Sequence, residues 1–320
     1  MYMGLVDTMN YPFWLENFLQ TLATGVLVGG TYALMCVGLG LIFGVMRVIN
    51  FAQGDFLMLG MYFAFYLYTF LGVHTLFGVF VGPVVAAFLA GPLVFIVAWF
   101  VHRWLMSRVS GMAAQGAEAE GGYGQLILTL GISLVLQNGG LIVFGSYPQS
   151  LRTPLSHQAW LVGPIFLNKS RVVAFAVAVG LALLLYLFMN RSTYGRAMRA
   201  AADNAEAAIY MGIDVDRAHR LAFCIGIAMT AVAGGLVAMY YPFQPYVGLE
   251  FVIIMYTGVV LGGLGSILGA FWGGMTIGLV QQLSTLILPI QLQNTAIFVV
   301  FLGIVLFRPQ GLFGRTAERT

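Results

Sequence analysis

FVIIMYTGVVLGGLGSILGAFWGGMTIGLVQQLSTLIL, residues Phe251–Leu288, is the stretch whose reading decides the fold. As one helix its 38 residues would run about 57 Å, nearly twice the ~30 Å hydrocarbon core of a bilayer. GGLGS, Gly262–Ser266, interrupts it, and glycine is among the poorest helix formers. The reading is a broken segment, either a re-entrant pair or two short spans, with both ends facing outside. Gly262, Gly263, Gly265 and Ser266 form the break.

The rest of the chain has the same character. Charged residues make up 8% of it, and the mean hydropathy is +0.93. A soluble domain carries about 25% charged residues, so this chain has too few to cover a water-facing surface. Its apolar runs are continuous rather than alternating, which favours helices over a barrel. Candidate spans are 17–46, 51–71, 76–101, 123–144, 172–189, 221–240, 251–288 and 295–307. The expected fold class is all-α, a polytopic transmembrane helical bundle of about 8–9 membrane segments. Residues 1–320 read as a single transmembrane domain. Cys36 and Cys224 lie inside apolar runs and read as buried thiols. The N-terminus lacks a basic leader region, so no cleaved signal peptide is expected.

Basic residues orient the spans. Nothing basic precedes the first span and Arg47 follows it, which puts the N-terminus outside. Arg103, Arg108 and the C-terminal Arg308, Arg315 and Arg319 then fall on the cytoplasmic side. The loop 145–171 lies outside despite Arg152, Lys169 and Arg171. A cytoplasmic C-terminus fits only if 251–288 returns to the side it came from. GLGLIFG, Gly38–Gly44, and GLGSILG, Gly263–Gly269, share five of seven positions, either as an internal repeat or as a Gly/Leu coincidence.

One loop breaks the apolar pattern. NRSTYGRAMRAAADNAEAAIYMGIDVDRAHR, Asn190–Arg220, holds nine of the chain's 25 charged residues. Within it AADNAEAAIYMG predicts a short helix, with Asp203 or Asn204 capping its start and Gly212 stopping it. Ala201, Ala205, Ala208 and Gly212 then line one face of small residues. A membrane-surface helix needs large apolar groups, so this face suits a protein cleft, with Asp203 and Glu206 flanking the contact. The alternative is a solvated helical linker.

EAAIYMG, Glu206–Gly212, resembles the E-A-A-x-x-x-G signature of ABC importer permeases. GLGLIFGVMRVINFAQGDFLMLGMY, Gly38–Tyr62, resembles the long N-terminal signature of LivH-type permeases of branched-chain amino acid importers. Residues 192–223 and 262–274 are similar to that family's central and C-terminal blocks, and RPQGLFG, Arg308–Gly314, to its tail. The resemblance departs from the family in 112–124 and in the outer loop after Phe144. It implies that 191–219 is a cytoplasmic coupling-helix loop seated in an ATPase, through Ala201, Asp203, Ala205, Glu206, Ala207, Ala208 and Gly212. It also implies the partners: a second related permease, two ABC ATPases carrying the ATP and Mg²⁺, and an external substrate-binding protein. The setting implied is the bacterial inner membrane, with lipid around the bundle and no nucleic acid.

The chain itself has no enzyme chemistry. Its single lysine, Lys169, sits in FLNKS without the glycine-rich run of a phosphate loop. His74, His102, His157 and His219 show no metal-binding spacing, and no cofactor is expected. Polar groups inside spans are costly and usually face the protein interior or a cavity. Asn50, Gln53, Asp55, Gln137, Asn138 and Gln281 are therefore candidates for a translocation path or gate, beside Gln282 and Glu250. Each also has a purely structural reading, and Asp55 is expected one or two turns inside the cytoplasmic face, within reach of Arg47. An ion-gradient-driven secondary transporter is the competing class.

Overall fold

The computed structural model describes residues 12–110, 123–151, 153–308 and 311. The 112–124 loop and the C-terminal tail lie mostly outside them. Helices α1 (Phe13–Met46), α2 (Gln53–Thr69) and α3 (Val73–Val101) come first. A π-helical turn, His102–Met106, and one last turn, α4 (Ser107–Ser110), extend α3. Then follow α5 (Tyr123–Phe144), a hairpin of β1 (Ala159–Val162) and β2 (Ile165–Asn168), and α6 (Lys169–Arg191). The charged loop holds α7 (Thr193–Asp203) and α8 (Ala205–Tyr210), and α9 (Val215–Val237) returns to the bundle. The chain closes with α10 (Val247–Gly262), α11 (Ile267–Ser284) and α12 (Gln293–Phe307).

By length and composition, α1, α3 with its extension, α5, α6 and α9 can each cross a membrane. The shorter α2, α10, α11 and α12, of 17, 16, 18 and 15 residues, complete an all-α bundle. Large apolar side chains such as Phe88, Ile96, Val135, Leu184 and Leu302 stand exposed on its outer faces. That exposure suits lipid, which is as apolar as they are.

The long apolar stretch is broken where its glycines fall. Gly263 and Gly265 take φ of 103° and 89°, a region open to glycine and closed to most residues. Ser266 caps α11, its hydroxyl accepting from the Gly269 N–H at 3.0 Å. α10 and α11 then fold back on each other as an antiparallel pair. Gly262 lies against the Gly269 backbone and Gly273 against that of Gly258, with no room for a Cβ at either place. Both free ends of the pair therefore lie on one side.

α1 is the central post. At 34 residues it runs about 51 Å, longer than the hydrocarbon core. Its excess is tied to the hairpin, where the Gln20 amide donates to Phe166 O at 2.9 Å and accepts from Phe166 N at 2.8 Å. Gly29 packs on Met275 and Gly278 of α11, Gly38 on Gly226 of α9, and Gly44 beside Gly265. GLGLIFG and GLGSILG thus meet at the break.

Replacing Gly262 by alanine should drive a Cβ into the Gly269 carbonyl and destabilise the bundle by about 1–3 kcal/mol. Gly180→Ala, where a Cβ meets nothing, should be neutral or stabilising by up to about 1 kcal/mol. Thermal unfolding of both variants in detergent checks this, and equal melting temperatures would refute the close-packing argument.

Candidate functional site

The site begins where α1 ends. Arg47 takes a left-handed φ of 54° and its N–H closes on Phe43 O at 2.8 Å, which stops the helix. Residues 47–52 then run non-helically and α2 starts only at Gln53. Gly44 lies beside Gly265, at the α10–α11 break, but Gly54 packs on Gly248 in the first turn of α10. Gly248 and Gly262 are about 21 Å apart along α10. Between these two contacts the non-helical segment 47–52, which ends in a turn closed by Gln53 N–H on Asn50 O, carries the chain back into the bundle before α2 begins.

This corrects the expected position of Asp55. It is not near the end of α1 but deep in the bundle, 1% exposed, in the first turn of α2. Nor does it pair with Arg47, whose guanidinium donates to Ala202 O at 3.3 Å. Asp55 instead faces Ser133 and Gln137 of α5 as hydrogen-bond partners, and its Oδ1 has none. An acid in a first turn is favoured by the helix dipole.

A polar cluster forms around this buried helix start. The Asn50 amide donates to Gln53 Oε1 at 3.0 Å, and the Gln53 amide donates to the Thr230 hydroxyl at 2.6 Å. The Thr230 hydroxyl donates in turn to Gly226 O at 3.0 Å. From α5, the Thr129 hydroxyl contacts Ile49 O at 3.3 Å and the Gln137 amide donates to Ser133 Oγ at 2.9 Å. Non-helical backbone at membrane depth is tolerated only where protein or a water-filled cavity satisfies it; here Thr129 satisfies the Ile49 carbonyl, and the Asn50, Gln53 and Gln137 amides bond to side chains. Asn50 Oδ1 is left without a partner among the described residues.

Of the residues singled out from sequence, Asn50, Gln53, Asp55 and Gln137 come together here. Asn138 does not, because its amide turns out to Leu134 O of its own helix. Gln281 belongs to a separate relay, accepting from the Tyr32 hydroxyl at 2.9 Å and donating to Asn294 Oδ1 at 3.3 Å. Sequence reading missed Thr129, Ser133 and Thr230. Thr129, Ser133 and Gln137 repeat every fourth residue, a polar stripe on one face of α5 that was open to detection.

The charged loop also differs from expectation. A single helix over 201–212 would have aligned Ala201, Ala205, Ala208 and Gly212. Asn204, at φ −151° and ψ 105°, breaks it in two and caps α8, accepting from Ala207 N at 2.9 Å. Ala201 lies in α7 and is buried with Gly195 and Met198, and Ala208 is buried too. The small residues therefore face this chain's own bundle. Asp203, Glu206 and Ala207 are exposed and Ala205 half-buried. Gly212, at φ 79°, ends the turn. The outward tip is Tyr210 and Met211, 87% and 81% exposed, with Ile209 beside them.

Paired helix breaks, a helix start sunk among buried polar side chains and a charged loop outside the bundle define a polytopic membrane permease. The chain belongs to the family described as branched-chain amino acid transport system / permease component, whose model matches residues 21–308. It is 33% identical over 304 residues to the high-affinity branched-chain amino acid transport system permease protein LivH of Escherichia coli (strain K12). That match covers 93% of this chain and 96% of the relative. It is 31% identical to BraD of Pseudomonas aeruginosa, with the same coverage, and 30% identical to a probable LivH of Methanocaldococcus jannaschii over 81% and 79%. No solved structure matches.

The Gln53–Thr230 bond should show as a double-mutant coupling of about 0.6 kcal/mol, at most ~1.7, between Gln53→Ala and Thr230→Val. Additive effects on unfolding free energy would remove the bond from the cluster's stability.

Proposed function

We propose that this chain lines the translocation path of an ATP-binding cassette importer for branched-chain amino acids in the bacterial inner membrane. The observation that carries the reading is the match along 93% of the chain to relatives named for that transport. On this reading the chain pairs with a second, related permease, receives substrate from an external binding protein and holds no ATP itself. Two ATPase subunits bind the nucleotide and Mg²⁺. The end of the bundle that carries α7 and α8 is cytoplasmic, in keeping with Arg191, Arg196, Arg199, Arg217 and Arg220 around them. The N-terminus lies outside and the C-terminus inside.

Loop 191–219 is the ATPase contact, and α8 its point of engagement. Buried Ala201 and Ala208 let α7 and α8 seat closely on the bundle. Asp203, Glu206, Ala207, Tyr210 and Met211 meet the ATPase, the last two as apolar anchors of the kind that dominate protein interfaces. Asn50, Gln53, Asp55 and Gln137 form the gate region, and the 262–266 break turns the chain at the cytoplasmic end. The ion-gradient alternative is not favoured by the relatives found.

Replacing both Tyr210 and Met211 by aspartate should abolish co-purification of the ATPase and ATP-driven leucine uptake, with the melting temperature of the permease unchanged. Retained ATPase and retained uptake would sink this contact.

A further inference from the structure

Two polar atoms buried where α2 faces α5 have no hydrogen-bond partner among the described residues: Asp55 Oδ1 and, two turns further along α2, the Tyr62 hydroxyl. A native fold seldom carries an unpaired buried group without a use for it. Asp55, Met58, Tyr62 and Tyr66, at spacings of three, four and four, share one face of α2. The inward stripe of α5 is Thr129, Ser133, Gln137 and Gly140, all buried, followed by half-buried Phe144. The two stripes meet in order. Asp55 faces Ser133 and Gln137, Met58 lies beside Gly140, and the Phe144 ring stacks on Tyr62 with centroids 4.1 Å apart and planes 9° from parallel. Phe243 packs edge-on against Tyr62 at 5.0 Å, and Tyr66 flanks Phe144 at 5.6 Å. The seam is thus polar at its middle and sealed by aromatic rings at one end.

The two sides of α2 are held differently. Towards α9 and α10 the backbones touch: Gly54 lies on Gly248, Gly60 on Ala231 and Gly234 on Leu57, with no room for a Cβ. Contacts of that kind make α2, α9 and α10 one packed body. Towards α5 there is no such approach. Gly140 meets only side-chain atoms of Met58 and Pro245, and Gly131 and Gly139 meet nothing. Gly145, at φ 80°, follows Phe144 directly and gives the chain a point at which to turn. A seam made of side chains can part and close again, whereas backbone packing moves as a unit.

We propose that the translocation path runs along the α2–α5 seam and that the Tyr62–Phe144 stack is the gate at its outer end. Phe243, which closes on Tyr62, follows the end of α9 that is farther from α8, so the stack and the charged loop lie at opposite ends of the bundle. With the rings together, the polar groups of Asp55, Ser133 and Gln137 are shut off from that end. When α5 parts from α2, the Tyr62 hydroxyl and Asp55 Oδ1 gain water or cargo as the partner they lack here. The assignment rests on the proposed function and adds to it the residues that close the outer end.

The test uses the importer purified with its partners and reconstituted in vesicles, with Tyr62→Cys and Phe144→Cys in one chain and a short bis-methanethiosulfonate to bridge them. Cys36 and Cys224 are buried and stay out of the reaction. The bridge should form readily without nucleotide, and its yield should fall severalfold once ATP and vanadate hold the ATPases closed. Once formed, it should abolish uptake of radiolabelled leucine, and a reductant should restore it. Equal yields in the two states overturn the gate whatever the cargo. So does uptake that persists in bridged vesicles. If that pair fails to assemble with the ATPases, Met58→Cys with Gly140→Cys sets the same bridge one turn lower, with the same outcomes. Unsubstituted vesicles that move no leucine, beside a yield that still falls with nucleotide, would overturn the proposed cargo and leave the gate standing.

Discussion

Close backbone approach along α1 is the constraint on which the rest of the bundle depends. Inside lipid there is little hydrophobic drive to bring helices together, so association rests on van der Waals contact and interhelical hydrogen bonds. α1 meets that requirement with glycines facing α9 and α11, and with a buried apolar run from Leu34 to Ile42. Two irregular segments, 47–52 and 263–266, lie beside its end. They are held there because Gly44 and Gly265 let the two backbones touch.

Those irregular segments carry an obligation that helices do not. Each non-helical peptide unit at membrane depth needs a partner for its N–H and C=O. At 263–266 the needs are small, because the turn is tight and Ser266 and the two positive-φ glycines close it. At 47–52 the Thr129 hydroxyl answers the Ile49 carbonyl and the Gln53 N–H the Asn50 carbonyl, while Asn50, Gln53 and Thr230 bond to one another through their side chains. The polar residues of this chain are therefore concentrated where the backbone leaves the helix. Any movement of α2 must remake these bonds.

What the sequence disclosed follows from which signals are local. Span lengths, the 262–266 break and the class of fold are set by runs of apolar residues and by glycine, and they were legible. The depth of Asp55 was not, because it depends on 47–52 leaving the helix, and RVINFA reads equally well as a helix entry. The facing of α8 was misjudged for a related reason. Asn204 was one of the two caps expected and does cap α8, but which way so short a helix turns its small residues is set by packing against the bundle. A one-residue break turned Ala208 inward and left Tyr210 and Met211 outside. Gln281 and Asn294 are thirteen residues apart with a turn between them, so their bond is a tertiary fact with no sequence period to betray it.

The proposed function requires motion at α8 to reach the buried helix start, and the contacts supply a short route. α8 is joined to α7 through Asn204, and α7 is clamped to α6 by Arg199, which donates to the Met189 carbonyl and to Asn190. The carbonyl of Ala202, in α7, accepts from the Arg47 guanidinium. Arg47 is the residue at which α1 stops and the non-helical climb begins. A helix end in a left-handed conformation is a hinge that costs about 1–2 kcal/mol to hold in a non-glycine residue. A displacement of α7 therefore acts on the point where the main chain is already strained. Six residues further on, that chain becomes α2, with Asp55 and Gln53 in its first turn. The charged loop and the buried cluster are distant along the bundle, yet a single non-helical segment connects them.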